Sequence, residues 1–391
     1  MLLEAMTGGS RSSRIHTFTS EQVERARRYH RPLYWLLAVD VALDLAVLSL
    51  LVFGPPGDWT ATLLRPLPFW GRALAWPAVV VAIGWLLGLP ISYWRGYLHE
   101  RRWGFSTQTP RAWLLDRVKG LTVSLVITTG LLFGFVSLAG AVGGAWPAIV
   151  APGAAVVVLF LSFVAPVVLE PIFNRFRPLT DEGLASSLHD LSVRAGVPVR
   201  DVLVADASRR TRKENAYVSG LGRTRRVVLF DTLVARDDPS YARLVVAHEL
   251  GHRRLRHVAK GTVLGMAGAA GSVMVVWTLL QSGAVRGAID AAGPGDPRVV
   301  PFVLFAAALL QLTAMPVLST LSRRWERAAD RFSLVMTGDA ALFEDSHRAL
   351  ALSNLSDLDP PRLIYLAMFS HPTPPERIAA AHRWSPPVIG S

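Results

Sequence analysis

The sequence predicts a mostly α, multi-pass membrane helical bundle of about six spans that carries a small α+β domain. Three observations predict it. Hydrophobic residues make up 51% of the 391 and charged residues only 18%, a balance too apolar for a soluble chain of this length. Six apolar stretches are each long enough to cross a bilayer. Between the fourth and the fifth lies a polar stretch with short strand and helix patterns of its own.

The spans are expected at Leu33–Phe53, Ala73–Trp94, Leu121–Val142, Pro147–Leu169, Val263–Leu280 and Val299–Leu321. Gly143, Gly144 and Ala145 predict a tight hairpin between the third and fourth. Trp35, Trp76, Trp94 and Trp146 sit near segment ends, where interfacial aromatics are expected. The polar, Arg-rich first 30 residues contain no apolar core followed by a cleavage site, so no cleaved signal peptide is expected. Asp40 and Asp44 lie four apart within the first span. Charge in hydrocarbon is costly, so they are expected to face a polar interior or to be held at a helix interface.

The arginines set the orientation. The tail carries Arg11, Arg14, Arg25, Arg27, Arg28 and Arg31, and the loop after the second span carries Arg95, Arg101, Arg102, Arg111, Arg117 and Lys119. The loops after the first and fifth spans hold two arginines each. The positive-inside rule then puts the tail, the second loop, residues 170–260 and the C-terminus in the cytoplasm. The expected organisation is a cytoplasmic tail (1–32), four spans (33–169), a cytoplasmic catalytic domain (170–260), a two-span hairpin (261–321) and a C-terminal catalytic part (322–391). The net charge of +12 fits Arg-rich cytoplasmic loops. No nucleic-acid partner is expected, because no basic patch with interleaved aromatics stands out.

Within 170–260, Glu182–Ala195 has helical apolar spacing and Val202–Val204 reads as a strand. Ala216–Ser219 and Arg226–Phe230 read as a hairpin joined by residues 220–224. Asp238-Pro239-Ser240 then starts a helix. That helix carries His248-Glu249-Leu250-Gly251-His252. Histidines at i and i+4 share one helix face, so both can reach one zinc ion, and Glu249 between them can act as general base on its water. With no cysteine in the chain, further ligands must be His, Asp or Glu. Glu326 is the best third ligand. It lies just past the sixth span, as His248 and His252 lie just before the fifth, and a helical hairpin brings those ends together. Asp330, one turn on, can accept the second ring N–H of a ligand histidine. His257, Glu344 and His371 are the weaker alternatives for third ligand.

Taken with the motifs around it, the chain resembles a CAAX prenyl protease of the integral-membrane zinc type, a gluzincin. The resemblance rests on Gly104–Thr109, Glu170–Phe176, Asn215–Gly220, Val228–Leu233, the HELGH stretch, the Glu326–Asp330 frame, Ser370-His371-Pro372 and Glu376-Arg377, in that order. It implies one zinc ion on His248, His252 and Glu326, with Glu249 catalytic. It also implies that the strand Asn215, Ala216, Tyr217, Val218 holds the substrate backbone by edge pairing, that His371 stabilises the oxyanion, and that Arg377 supports that region of the substrate site. Eukaryotic members are described with seven membrane helices, and six are counted here.

The expected activity is endoproteolysis of peptides or membrane-associated proteins, in contact with lipid. A quality-control protease of site-2 or heat-shock type is the alternative, and so is a metal-binding scaffold whose catalysis has lapsed. Arg243, Arg253, Arg254 and Arg256 around the zinc helix do not suit the membrane-buried helix of a site-2 enzyme, and a scaffold has no need of Glu249.

Overall fold

In the computed structural model, residues 17–385 are described, apart from 221 and 237. Arg11 and Arg14 of the tail and Leu221 of the hairpin loop therefore fall outside the described residues. Helix α1 (Ser20–Phe53) starts in a capping box made by Thr19 and Gln22 and is followed by the short α2 (Pro55–Leu64). Helix α3 (Phe69–Tyr93) runs on through a π-helical turn to Arg102. Helix α4 (Pro110–Val142) starts on a Thr109 cap, and a 3₁₀ turn at Gly143–Ala145 reverses the chain. Gly143 has φ +62°, open to glycine at no steric cost. Helix α5 (Pro147–Val164) also continues through a π turn, to Phe173.

The polar domain follows: β1 (Phe176–Pro178), α6 (Glu182–Arg194), β2 (Asp201–Ala205), β3 (Ala216–Ser219), β4 (Arg226–Phe230), α7 (Asp231–Val234) and α8 (Pro239–Arg254). Then come α9 (His257–Gln281), α10 (Gly283–Ala288), α11 (Val299–Thr337), α12 (Ala340–Ser353), α13 (Arg362–Met368) and α14 (Pro374–Ala381). Six of these helical runs are long and apolar enough to cross a membrane, and each contains one expected span. Their side chains stay largely open to the surroundings: Val126, Phe160 and Val317 are 60–70% exposed, as lipid-facing residues are.

Each half has its own core. At the end of the bundle away from the polar domain, Trp76, Val80, Val136, Trp146, Leu280 and Val300 pack together. Trp76 and Trp146 are thus buried in protein, unlike the interfacial position expected for them. Both reach inward because helix ends close over this core. Only Trp35, 71% exposed, keeps the open position. In the polar domain, α6 and α8 pack on the sheet through Leu188, Leu191, Val227, Leu229, Val246 and Leu250. The sheet order is β1-β2-β4-β3. Strands β2 and β4 are parallel and the β3–β4 hairpin is antiparallel, which leaves β3 at an edge. Strand β1 has too few residues to give a sequence signal of its own.

The Arg-rich segments meet at the polar end. Thr107 N–H donates to Arg210 O at 3.2 Å, and Arg212 N–H to Phe105 O at 3.0 Å, joining the second loop to the polar domain. The Tyr29 hydroxyl of α1 bonds Glu100, and Lys213 reaches both, at 2.8 Å each. Arg27 pairs with Asp359 at 3.2 Å. Within the bundle, Asp40 lies 3.4 Å from Arg95. Asp44 lines a cavity of about 610 Å³ together with Asp116 and Arg117.

Candidate active site

Helix α8 begins at Pro239, with the Asp238 carboxylate accepting from Ser240 N–H at 2.8 Å. One face buries Ala242, Val246 and Leu250 against the sheet. The other meets α11, where buried residues recur at Arg323, Glu326, Asp330 and Ser333. Steps of three and four put these on one helical face. The two helices touch at Gly251: a Cβ there would lie 3.0 Å from Phe332 and 3.3 Å from Ala329 Cα.

This crossing brings three donors to one point. Nε2 of His248 and of His252 are 3.1 Å apart. Glu326 Oε2 is 3.3 Å from the first and Oε1 is 3.2 Å from the second. Donors about 2.0–2.1 Å from a shared tetrahedral zinc are separated by about 3.3 Å, so the residues present fit that ion. The remaining ring nitrogens are also engaged. His248 Nδ1–H faces Asp330 Oδ1 at 2.9 Å. His252 Nδ1 meets His257 Nδ1 at 3.1 Å, and the His257 ring stacks on Trp325 at 5.3 Å. Such partners fix ring orientation and tautomer. The Arg377 fork closes on Asp330, at 2.8 and 2.6 Å, and on Glu326, at 3.2 Å. Arg377, expected from the resemblance to support the region of His371, lies on the carboxylate side of the cluster, where its Nε and one Nη donate.

The electrostatics follow from burial and these bonds. Burial pulls His248 down, but its bonds to Asp330 and Glu326 lift it to about 9. Burial pushes Glu326 up, yet the two histidines hold it below the usual carboxylate range. Asp330 is likewise held low against burial, by Arg377 and His248. The cluster binds a proton firmly, and a cation taking its place releases one. Glu249 is pushed up by burial, with the two histidines opposing, toward the range useful to a general base.

Glu249, His248 and Glu326 line a cavity of about 560 Å³. Asn215, Leu244, His347 and His371 also line it. His371 Nε2 is 3.3 Å from Glu326 Oε1, and Ser370 Oγ contacts its Nδ1 at 2.8 Å. Glu214 and Asn215, just before β3, line this cavity, while Tyr217 and Ser219 of the strand bond Glu170 at 3.4 and 3.0 Å.

Several contributors escaped the sequence reading. His257, in the sequence a weaker candidate for third ligand, lies behind His252. Arg323 is buried and donates to the carbonyls of Tyr365 at 2.9 Å and Phe369 at 2.5 Å, capping α13 just before His371; its place on the Glu326–Asp330 stripe was a usable signal. Asn354 pairs with both Glu214 N–H and C=O, at 2.9 and 3.0 Å, and steadies the chain entering β3. No local pattern announces it.

Comparison with known proteins agrees with this architecture. The family model "CAAX prenyl protease N-terminal, five membrane helices" matches residues 12–175, and the model of peptidase family M48 matches residues 178–385. Four of the six long apolar helices begin before residue 175, one fewer than that description, with α2 too short to cross. An uncharacterized metalloprotease of Bacillus subtilis, YhfN, is 28% identical over 92% of this chain and 85% of its own. CAAX prenyl protease 1 of Saccharomyces cerevisiae is 27% identical over 79% of this chain and 72% of its own. The crystal structure of S. mikatae Ste24p shares the fold, with a TM-score of 0.77, 23% identity and coverage of 93% and 90%. Among the described residues, the HELGH helix α8 is not one of the six helices long and apolar enough to cross a membrane. The chain belongs to peptidase family M48, as a multi-pass membrane metalloprotease homologous to the CAAX prenyl proteases.

Proposed function

We propose that the chain is a zinc endopeptidase with one ion held by His248, His252 and Glu326. The convergence of those donors beside Glu249 in one cavity carries this reading. Zinc, when bound, supplies Lewis acidity and makes water a nucleophile at neutral pH. Glu249 takes the proton of the attacking water and passes it to the leaving amine nitrogen. His371 donates to the oxyanion as the scissile carbonyl becomes tetrahedral. Asp330, clamped by Arg377, keeps the His248 Nδ1 proton in place, and His257 orients His252. The edge of β3 pairs with the substrate backbone.

The active site is read as cytoplasmic, since the Arg-rich segments gather at its end of the bundle. Substrates are peptides or membrane-associated proteins reached from that side, with lipid around the bundle. The names of several relatives, CAAX prenyl proteases, suggest prenylated C-terminal peptides. The test compares wild type with Glu249→Gln on a fluorogenic peptide, prenylated and plain, with and without a zinc chelator. Turnover is expected only in chelator-free wild type. Chelator-resistant turnover overturns the zinc reading, and equal rates on both peptides remove the prenyl requirement.

A further inference from the structure

Strand β3 has a free edge, and the chain itself already occupies part of it. Phe230 N–H donates to Asn215 O at 2.9 Å, and the hairpin register pairs Ala216 with Leu229 and Val218 with Val227. In an antiparallel pair, hydrogen-bonded and non-hydrogen-bonded residues alternate. Asn215, Tyr217 and Ser219 therefore spend their backbone groups on β4, and Ala216 and Val218 point theirs outward. Four outward groups result: an N–H and a C=O from each. The Ala216 N–H donates to the Asn215 side-chain oxygen at 2.9 Å. The Val218 C=O accepts from the Arg253 guanidinium. Among the described residues, the Ala216 C=O and the Val218 N–H are left for an incoming chain.

Arg253 follows His252 directly, on the last turn of α8. The helix that carries the two ring donors thus also aims a half-buried cation at the end of the substrate strand. A half-buried guanidinium that loses its acceptor gives up a charge-assisted hydrogen bond, stronger than that of a peptide N–H. A substrate N–H, a neutral donor competing for the same carbonyl, is the weaker partner.

We infer that Arg253 is a specificity-determining residue that ends strand pairing at Val218, so that a bound peptide gains one backbone acceptor, at Ala216, and not two. This rests on the edge-pairing reading of β3. The peptide residue opposite Val218 can still give its C=O to the Val218 N–H, but its own N–H finds no acceptor. That position favours residues that lack an N–H, such as proline, and side chains that can accept from a guanidinium, such as aspartate or glutamate.

An N-methyl scan tests this. Each non-scissile amide of a cleavable peptide is methylated in turn, and kcat/KM is measured for the wild-type holoenzyme and for Arg253→Met with equal zinc content. In wild type one position is expected to cost roughly fivefold, the worth of one hydrogen bond. In Arg253→Met a second position, two residues away, is expected to become equally costly as the Val218 C=O opens. A structural role for Arg253 would scale all peptides together and leave this pattern alone. Two costly positions in wild type overturn the inference while leaving edge pairing intact. A single costly position in both proteins overturns it too. No costly position in either removes edge pairing, and the inference falls with it. The wild-type scan decides against the inference by itself, and Arg253→Leu, which also lacks a donor, serves in the second arm if the Met variant misfolds.

Discussion

At the scale of single residues, the proposed mechanism assigns metal holding and proton transfer to different side chains. Glu249 is no part of the donor cluster, so Glu249→Gln should keep stoichiometric zinc while turnover falls by about 10²–10⁴, the usual weight of a general base; metal analysis beside a peptide assay checks both. Asp330 and His257 each meet the outer ring nitrogen of a donor histidine. Alanine at either should lower zinc affinity or activity by roughly 10–100-fold, measured by competition with a chromogenic chelator. Ala at His248, His252 or Glu326 should abolish both. His347 offers a pH test. Burial pushes it down to about 3, with Arg377 adding to that, so it is neutral in the fold and protonates in the unfolded chain below about pH 6.5. Its contribution is complete above that pH and is lost as pH falls toward its folded value. The melting temperature followed by tryptophan fluorescence should drop between about pH 8 and about pH 5, and His347→Gln should flatten that drop.

At the scale of elements, the crossing of α8 and α11 decides whether there is a site. Gly251 lets the helices approach closely: an added Cβ would lie 3.0 Å from Phe332 and 3.3 Å from the α11 backbone at Ala329, so the crossing would have to give by a few tenths of an ångström. Gly251→Ala should cost about 1–3 kcal/mol through overpacking and push Glu326 away from the histidines. Zinc affinity should fall together with thermal stability, in contrast to Glu249→Gln. A Gly251→Ala protein with unchanged metal binding would show that the helices can part without moving the donors. Helix α13 depends on α11 in a similar way, since the Arg323 guanidinium satisfies its last carbonyls.

At the scale of the whole molecule, one end of the bundle gathers the start of α1, the second loop, the polar domain and the C-terminal helices, while residues 281–298 lie at the other end. There Arg298 pairs with Asp58 at 2.9 Å. The chain has no cysteine, so single cysteines can be introduced without background. One at Ser208 should be shielded from an impermeant thiol reagent in intact cells, and one at Ser282 should react. Labelling of both from one side would break the α9–α11 hairpin that joins His252 to Glu326.

The sequence by itself determined the spans, the HELGH helix and the β3–β4 hairpin, and it singled out Glu326, which the fold brings beside His248 and His252. Each is a local periodicity, a spacing within one helix, or a pair of helix ends joined by a hairpin. A hydrophobic run of bilayer length reads the same in any context, and i, i+4 histidines share a face wherever the helix goes. The tertiary structure decided what no spacing encodes. His257 turned from rival ligand to support because a left-handed residue, Arg256 at φ +59°, breaks α8 from α9 and swings the ring behind His252. Trp76 and Trp146 went inward because neighbouring helices close over them. Asn354 reaches Glu214, just before β3, across 140 residues of chain, and Arg253 reaches Val218 within it across 35. Contacts of that kind depend on which surfaces meet, and that is settled by packing two helices on one sheet.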